Sequence, residues 1–116
     1  IYQLEEISMS KLILETIRDE LRTCSVIDGE GEFCRDWLGK SECYLRTLRF
    51  INGEPSADAL TVCASKLRYY AARLEQSPEQ QHRHWAVQFR TLAVACMDAV
   101  EQRALDKWQK LPAMMV

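Results

Sequence analysis

The sequence predicts an all-α fold: a core of four helices containing a helix-turn-helix pair, followed by one long C-terminal helix. Three observations predict it. The 116 residues hold only 4 Gly and 3 Pro, too few for an all-β chain that must turn every ~8–12 residues. Apolar residues recur three or four positions apart along most of the chain, the period of an amphipathic helix. Hydrophobic residues make up 47% and charged residues 28%, which excludes overall disorder and suffices for one core. Residues 1–75 are expected to form the four-helix unit, and 76–116 the long helix.

The elements follow in order. Ser10 is a plausible N-cap for a helix reaching Cys24, with Leu12, Ile13, Ile17, Leu21 and Cys24 on its apolar side. Asp28-Gly29-Glu30-Gly31 reads as a loop, because two glycines in four residues disfavour a helix. Glu32 to Leu38 is a short helix that stops at Gly39, which can take the positive φ of a tight turn. Ser41 then caps a third helix with Tyr44, Leu45 and Leu48 turned inward. Asn52-Gly53-Glu54-Pro55 breaks the chain. Ser56 caps a fourth helix, with Asp58 in its first turn and Leu60, Cys63, Ala64, Leu67, Ala71 and Leu74 along its stripe. Ser77 and Pro78 suit the cap and first position of the last helix. From there Trp85, Phe89, Leu92, Cys96, Val100, Ala104, Trp108 and Leu111 run unbroken, a helix of roughly 48 Å.

Several function classes drop out early. No apolar run approaches the ~20 residues of a membrane span, and no signal-like stretch opens the sequence. The five cysteines form no CxxC pair; they read as free thiols in a reducing, cytoplasmic setting. His82 and His84 are one residue apart and point about 200° from each other on a helix, so they cannot share a metal. No metal-ligand spacing, glycine-rich phosphate loop or nucleophile context is present. Neither catalysis nor a cofactor is expected.

The net charge of −2 argues against a chain that coats nucleic acid indiscriminately. Its distribution is more informative. Residues 1–30 carry 3 basic and 7 acidic groups, residues 31–73 carry 7 basic and 5 acidic, and the rest carry 5 of each. The middle is the one net basic third.

That third contains Phe33 to Phe50, which has the grammar of a helix-turn-helix. One helix ends at Leu38-Gly39, a second follows, and Leu45 and Leu48 face inward. The opposite side presents Ser41, Glu42, Cys43, Arg46, Thr47 and Phe50. Leu38-Gly39, Ser41, Tyr44-Leu45 and Leu48, with the Asn52 to Leu60 loop and helix, resemble the Cro/phage-repressor class of helix-turn-helix domains across residues 10–74. Arg35 stands where that class usually has a small residue at the helix crossing, and Lys40 where it has an apolar one. An arginine there is expected to extend outward along its stem.

The resemblance implies a small DNA-binding regulator of transcription. Arg46 would reach a base or phosphate, with Lys40 and Arg49 near phosphates and Ser41, Glu42, Cys43 and Thr47 beside them. The alternative is a helical protein-interaction module, an adaptor or antagonist of a regulator, that binds no DNA. The long helix offers a wide stripe, with Ala86, Val87, Ala93, Val94 and Met97 beside the first line. Its economical use is homodimerisation through Trp85, Phe89, Leu92, Cys96 and Val100. The competing arrangement folds it back across the first and fourth helices of its own chain.

Overall fold

A computed structural model describes residues 9–112. It is all-α: α1 (Met9–Thr23), α2 (Glu30–Leu38), α3 (Tyr44–Ile51), α4 (Ala57–Glu75) and α5 (Gln80–Gln109). No strand occurs among the described residues.

The expected order of elements holds, and most differences lie at helix starts. Ser10 is not a cap; it lies inside α1 and is buried. The buried stripe of α1 is therefore Ser10, Leu14, Ile17 and Leu21, while Leu12 is turned outward. Helix α2 begins two residues early and takes Gly31 into its first turn. Glu30 and Glu32 in that turn complement the helix dipole. The Glu32 carboxylate also accepts from the Asp28 N–H at 2.9 Å. These contacts offset the glycine's low helix propensity.

Left-handed residues end α2 and α3. Gly39 has φ +67° and closes α2, with the Lys40 N–H returning to the Cys34 carbonyl at 2.9 Å. Asn52, not Gly53, takes the positive φ after α3, and the Gly53 N–H bonds the Leu48 carbonyl at 2.8 Å. Ser56 caps α4 as expected, its hydroxyl accepting from the Ala59 N–H at 3.1 Å. Ser77 and Pro78 stay outside α5, which starts at Gln80 with Glu79 at its N-cap.

The core is one cluster drawn from all five helices. Leu14, Ile17 and Leu21 meet Phe33, Leu38, Leu45, Leu60 and Leu67, all fully buried. Each such side chain contributes roughly 1.5–3 kcal/mol. Against this core α4 and α5 run antiparallel, joined by a short turn. Ala64 and Ala71 on α4 and Ala86 and Ala93 on α5 are small and buried, which lets the two backbones approach closely.

Within the chain, this packing takes up much of the long helix's stripe. Phe89 and Cys96 are covered inside the same chain, and Trp85, Leu92 and Val100 pack against that core. Trp85, Leu92 and Val100 stay partly exposed beside it. Helix α5 folds back across α1 and α4, the competing arrangement. Ala104 and Trp108, beyond that packing, are exposed.

Arg103 holds the far end of α5 in place. It donates to the buried Pro55 carbonyl, and at 3.2 Å to the Ser10 hydroxyl. Three separate segments are tied there by one side chain.

Candidate nucleic-acid interface

Residues Gly39 to Cys43 form the turn between α2 and α3, and α3 itself is eight residues long. Its start is displaced from expectation. Cys43, not Ser41, occupies the N-cap position, and it makes no side-chain capping bond. Ser41 instead accepts from the Tyr44 N–H through its carbonyl at 3.0 Å. Ser41, Glu42 and Cys43 thus stand in the turn ahead of the helix, all three exposed.

Leu45 and Leu48 anchor α3 to the core, which fixes which side faces out. A helix turns 100° per residue, so Cys43, Arg46, Thr47 and Phe50 share the outward side. All four are exposed, Phe50 at 90%. Tyr44 lies at the edge, half-buried, its hydroxyl accepting from the Ser56 N–H at 2.8 Å. That bond pins the N-cap of α4 to the start of α3.

The three candidate cations differ in their surroundings. Lys40 lies 3.4 Å from Asp58 and over the Tyr44 ring, 5.8 Å from its centroid. Arg49 turns away from the outward side, toward α1 and α2. It makes two bonds to Glu30, at 2.9 and 2.8 Å, and a third to Glu15 at 3.3 Å. Arg18 of α1 reaches the same Glu30 at 2.5 Å. Arg49 is therefore a brace between helices. Its two-point grip, with burial opposing and Arg18 assisting, holds the Glu30 carboxyl down at about 2.

Arg46 is different: its guanidinium donates to the Cys43 sulfur at 2.7 Å. Among the described residues no carboxylate lies within ion-pair distance of it. Of Lys40, Arg46 and Arg49 it is the one whose charge is left for a ligand.

Arg35 extends outward and pairs with Glu42 at 3.4 Å, so the helix crossing is not forced apart. Glu42 lies over Gly31, where an added Cβ would come within 3.3 Å of its carboxylate oxygen. The absence of a side chain at Gly31 thus leaves room for Glu42 in the turn.

The Glu30–Arg49–Arg18 brace was not apparent in the sequence, since its members are 12 to 31 positions apart. The i to i+4 charge spacing that marks pairs within one helix says nothing about pairs between helices.

His82 has local partners. It shares a hydrogen bond with the Ser77 hydroxyl at 2.8 Å and lies 3.3 Å from Glu79. Among the described residues no group of three His, Cys, Asp or Glu is placed to hold a metal ion. No helix there is long and apolar enough to cross a membrane. Four of the five cysteines are buried or half-buried and Cys43 is exposed. The Cys63 thiol is pushed up by its hydrogen bond to Cys96 and by burial.

A known family matches residues 14–109. The chain belongs to DUF6626, a family of unknown function. Its match takes in α2, the turn, α3 and α4 entire, together with all of α5 and most of α1. No curated protein and no solved structure matches the chain.

Proposed function

We propose that this DUF6626 protein is a small regulator that binds duplex DNA, with α3 and the turn before it entering the major groove. The observation that carries the reading is the uncovered outward side of α3, where Ser41, Glu42, Cys43, Arg46 and Thr47 are all exposed. A major groove admits one helix with its side chains, and the first residues of that helix reach the base edges. Arg46 supplies a guanidinium without a carboxylate partner, suited to guanine O6 and N7 or to a phosphate. Lys40 stands near the start of the turn and supplies a phosphate contact if Asp58 releases it. Arg49 supports α3 from behind and makes no DNA contact.

Selection from random duplex DNA at about 50 mM salt, where phosphate contacts are strongest, tests the reading without knowledge of a target. An enriched sequence whose binding is lost in Arg46→Ala supports it. No enrichment and no binding at that salt overturns it.

One observation favours a second reading. Phe50 and Ile51, at the end of α3, are 90% and 61% exposed. Large apolar side chains side by side on a surface also suit a protein partner. In that case the same face belongs to a helical interaction module, and Phe50→Ser weakens capture of the partner while leaving the fold intact.

A further inference from the structure

Helix α5 carries a second apolar line on the flank that α4 leaves open. Val87 and Val94, seven residues apart, are 67% and 59% exposed, and Trp108, fourteen further on, is 58% exposed. A repeat of seven keeps one seam of a helix turned toward a neighbouring helix, as in coiled coils. The core-facing residues Ala86, Phe89, Ala93 and Cys96 lie on a different side. Nothing in the chain that is described covers the Val87–Val94 line.

The charges on and beside this line are segregated, with Glu101 itself at the seam position between Val94 and Trp108. Arg83 and Arg90 lie in its first half, and Asp98 and Glu101 in its second; all four are exposed. At 100° per residue they fall within about 40° of Val94 around the helix. A partner that matches the face must therefore be acidic at one end and basic at the other, in the opposite order. The same face reversed has that order.

We infer that a second copy of this chain lies antiparallel along α5, with the two-fold axis passing at Val94. In that register each Val94 meets its own symmetry mate. Arg90 comes level with Asp98 of the second copy. Glu101 comes level with Val87 of the second copy, between its Arg83 and its Arg90. The axis produces every contact twice. Parallel pairing would instead set Arg90 against Arg90 and Asp98 against Asp98, which is repulsive. Val94 itself lines a shallow hollow with Arg68, Arg90, Ala93, Met97 and Asp98, and the incoming valine lies against it. Arg90 already pairs with Glu75 of its own chain, but a guanidinium has five N–H donors and retains some for a second carboxylate. The surface is separate from the outward side of α3, so the inference stands whether or not α3 reads DNA.

A charge-reversal series tests it. Sedimentation equilibrium across a concentration series is run on the unaltered protein, Arg90→Asp, Asp98→Arg and the double variant. The unaltered chain is expected to form a dimer. Each single reversal places like charges level and should raise the dissociation constant at least about tenfold, as juxtaposed like charges do. The double variant restores opposite charges and should return to the original dimer. A concentration-independent monomer for the unaltered protein overturns the inference, as does a double variant no better than the singles. A second measurement does not depend on how the charge variants fold. In Val94→Cys the introduced thiols face each other across the axis, so mild oxidation should link two chains through them. Peptide mapping that finds no such crosslink also counts against the axis.

Discussion

Arg49 on α3 grips Glu30 on α2 with both terminal nitrogens, Nη1 at 2.9 Å from Oε1 and Nη2 at 2.8 Å from Oε2. Parallel bonds of this kind fix a planar guanidinium against a planar carboxylate and are stronger than neutral ones. The pair sits where the chain has left α2, turned and come back. It therefore sets the angle at which α3 is presented.

The first prediction is a pH dependence. The Glu30 carboxyl is held at about 2 by Arg49, below its ordinary value of 4.5. A carboxyl lowered by folding stabilises the protein fully above its unfolded pKa, and loses that contribution as pH falls toward its folded one. Between about pH 4.5 and 2 the unaltered protein should lose stability more steeply than Glu30→Gln. Denaturant midpoints measured at pH 7, 4 and 3 check this. Parallel curves for the two proteins would mean that the pair contributes nothing.

Arg49→Ala gives a second, complementary result. It should lower stability by about 1–2 kcal/mol, the range for a hydrogen bond to a charged group when exposure is partial. Lys40→Ala, whose partner Asp58 is exposed, should change stability by less than about 0.5 kcal/mol.

The contrast between Arg46 and Arg49 marks how far the sequence could be read. Their spacing on one helix, with Leu45 and Leu48 facing inward, determined that Arg46 points out. That Arg49 turns back to Glu30 depends on where α2 and α1 pass, a tertiary fact with no local signature. Helix existence was legible for the same reason, because an apolar stripe is periodic. Helix starts were less so. Ser10 and Ser41 both suit a cap, yet packing extends α1 past one and delays α3 beyond the other. The stripe of α5 was visible too, but a stripe does not say whose core it enters. The small residues Ala64, Ala71, Ala86 and Ala93 carried the answer, since they let α4 approach and take that face.

A third prediction separates the two sides of α5 by stability alone. Phe89, 2% exposed in the core, should cost about 3–5 kcal/mol when cut to alanine. Leu92→Glu should unfold the chain, because Leu92 packs on that core and a carboxylate there is left without a partner. For Val94→Ala, at 59% exposed, the expected change in a dilute thermal melt is below about 0.5 kcal/mol. Equal losses at Phe89 and Val94 would contradict the packing described.

Arg103 supplies a fourth. The Pro55 carbonyl it serves belongs to a fully buried residue in the loop before α4. Removing the donor leaves that acceptor dependent on water reaching it, which costs about 1–3 kcal/mol for a buried polar group. Arg103→Ala should therefore destabilise more than Arg83→Ala, whose carbonyl partners at Ser77 and Pro78 lie on an exposed turn. Paired urea melts decide the order.

The last prediction joins thiol chemistry to the proposed interface. Cys34, Cys63 and Cys96 are buried, Cys24 is half-buried and Cys43 is exposed at the start of α3. Reaction requires the thiolate and access to it. Burial raises the Cys24 and Cys34 thiols, and the bond to Cys96 together with burial raises Cys63. A soluble maleimide at neutral pH should therefore modify Cys43 first, Cys24 more slowly and the other three only after unfolding, as peptide mass mapping would reveal. Cys43 also stands on the side of α3 assigned to DNA. A duplex from the selection should then protect Cys43 while leaving the Cys24 rate unchanged. Protection at both sites would indicate general coating, and protection at neither would remove α3 from the contact.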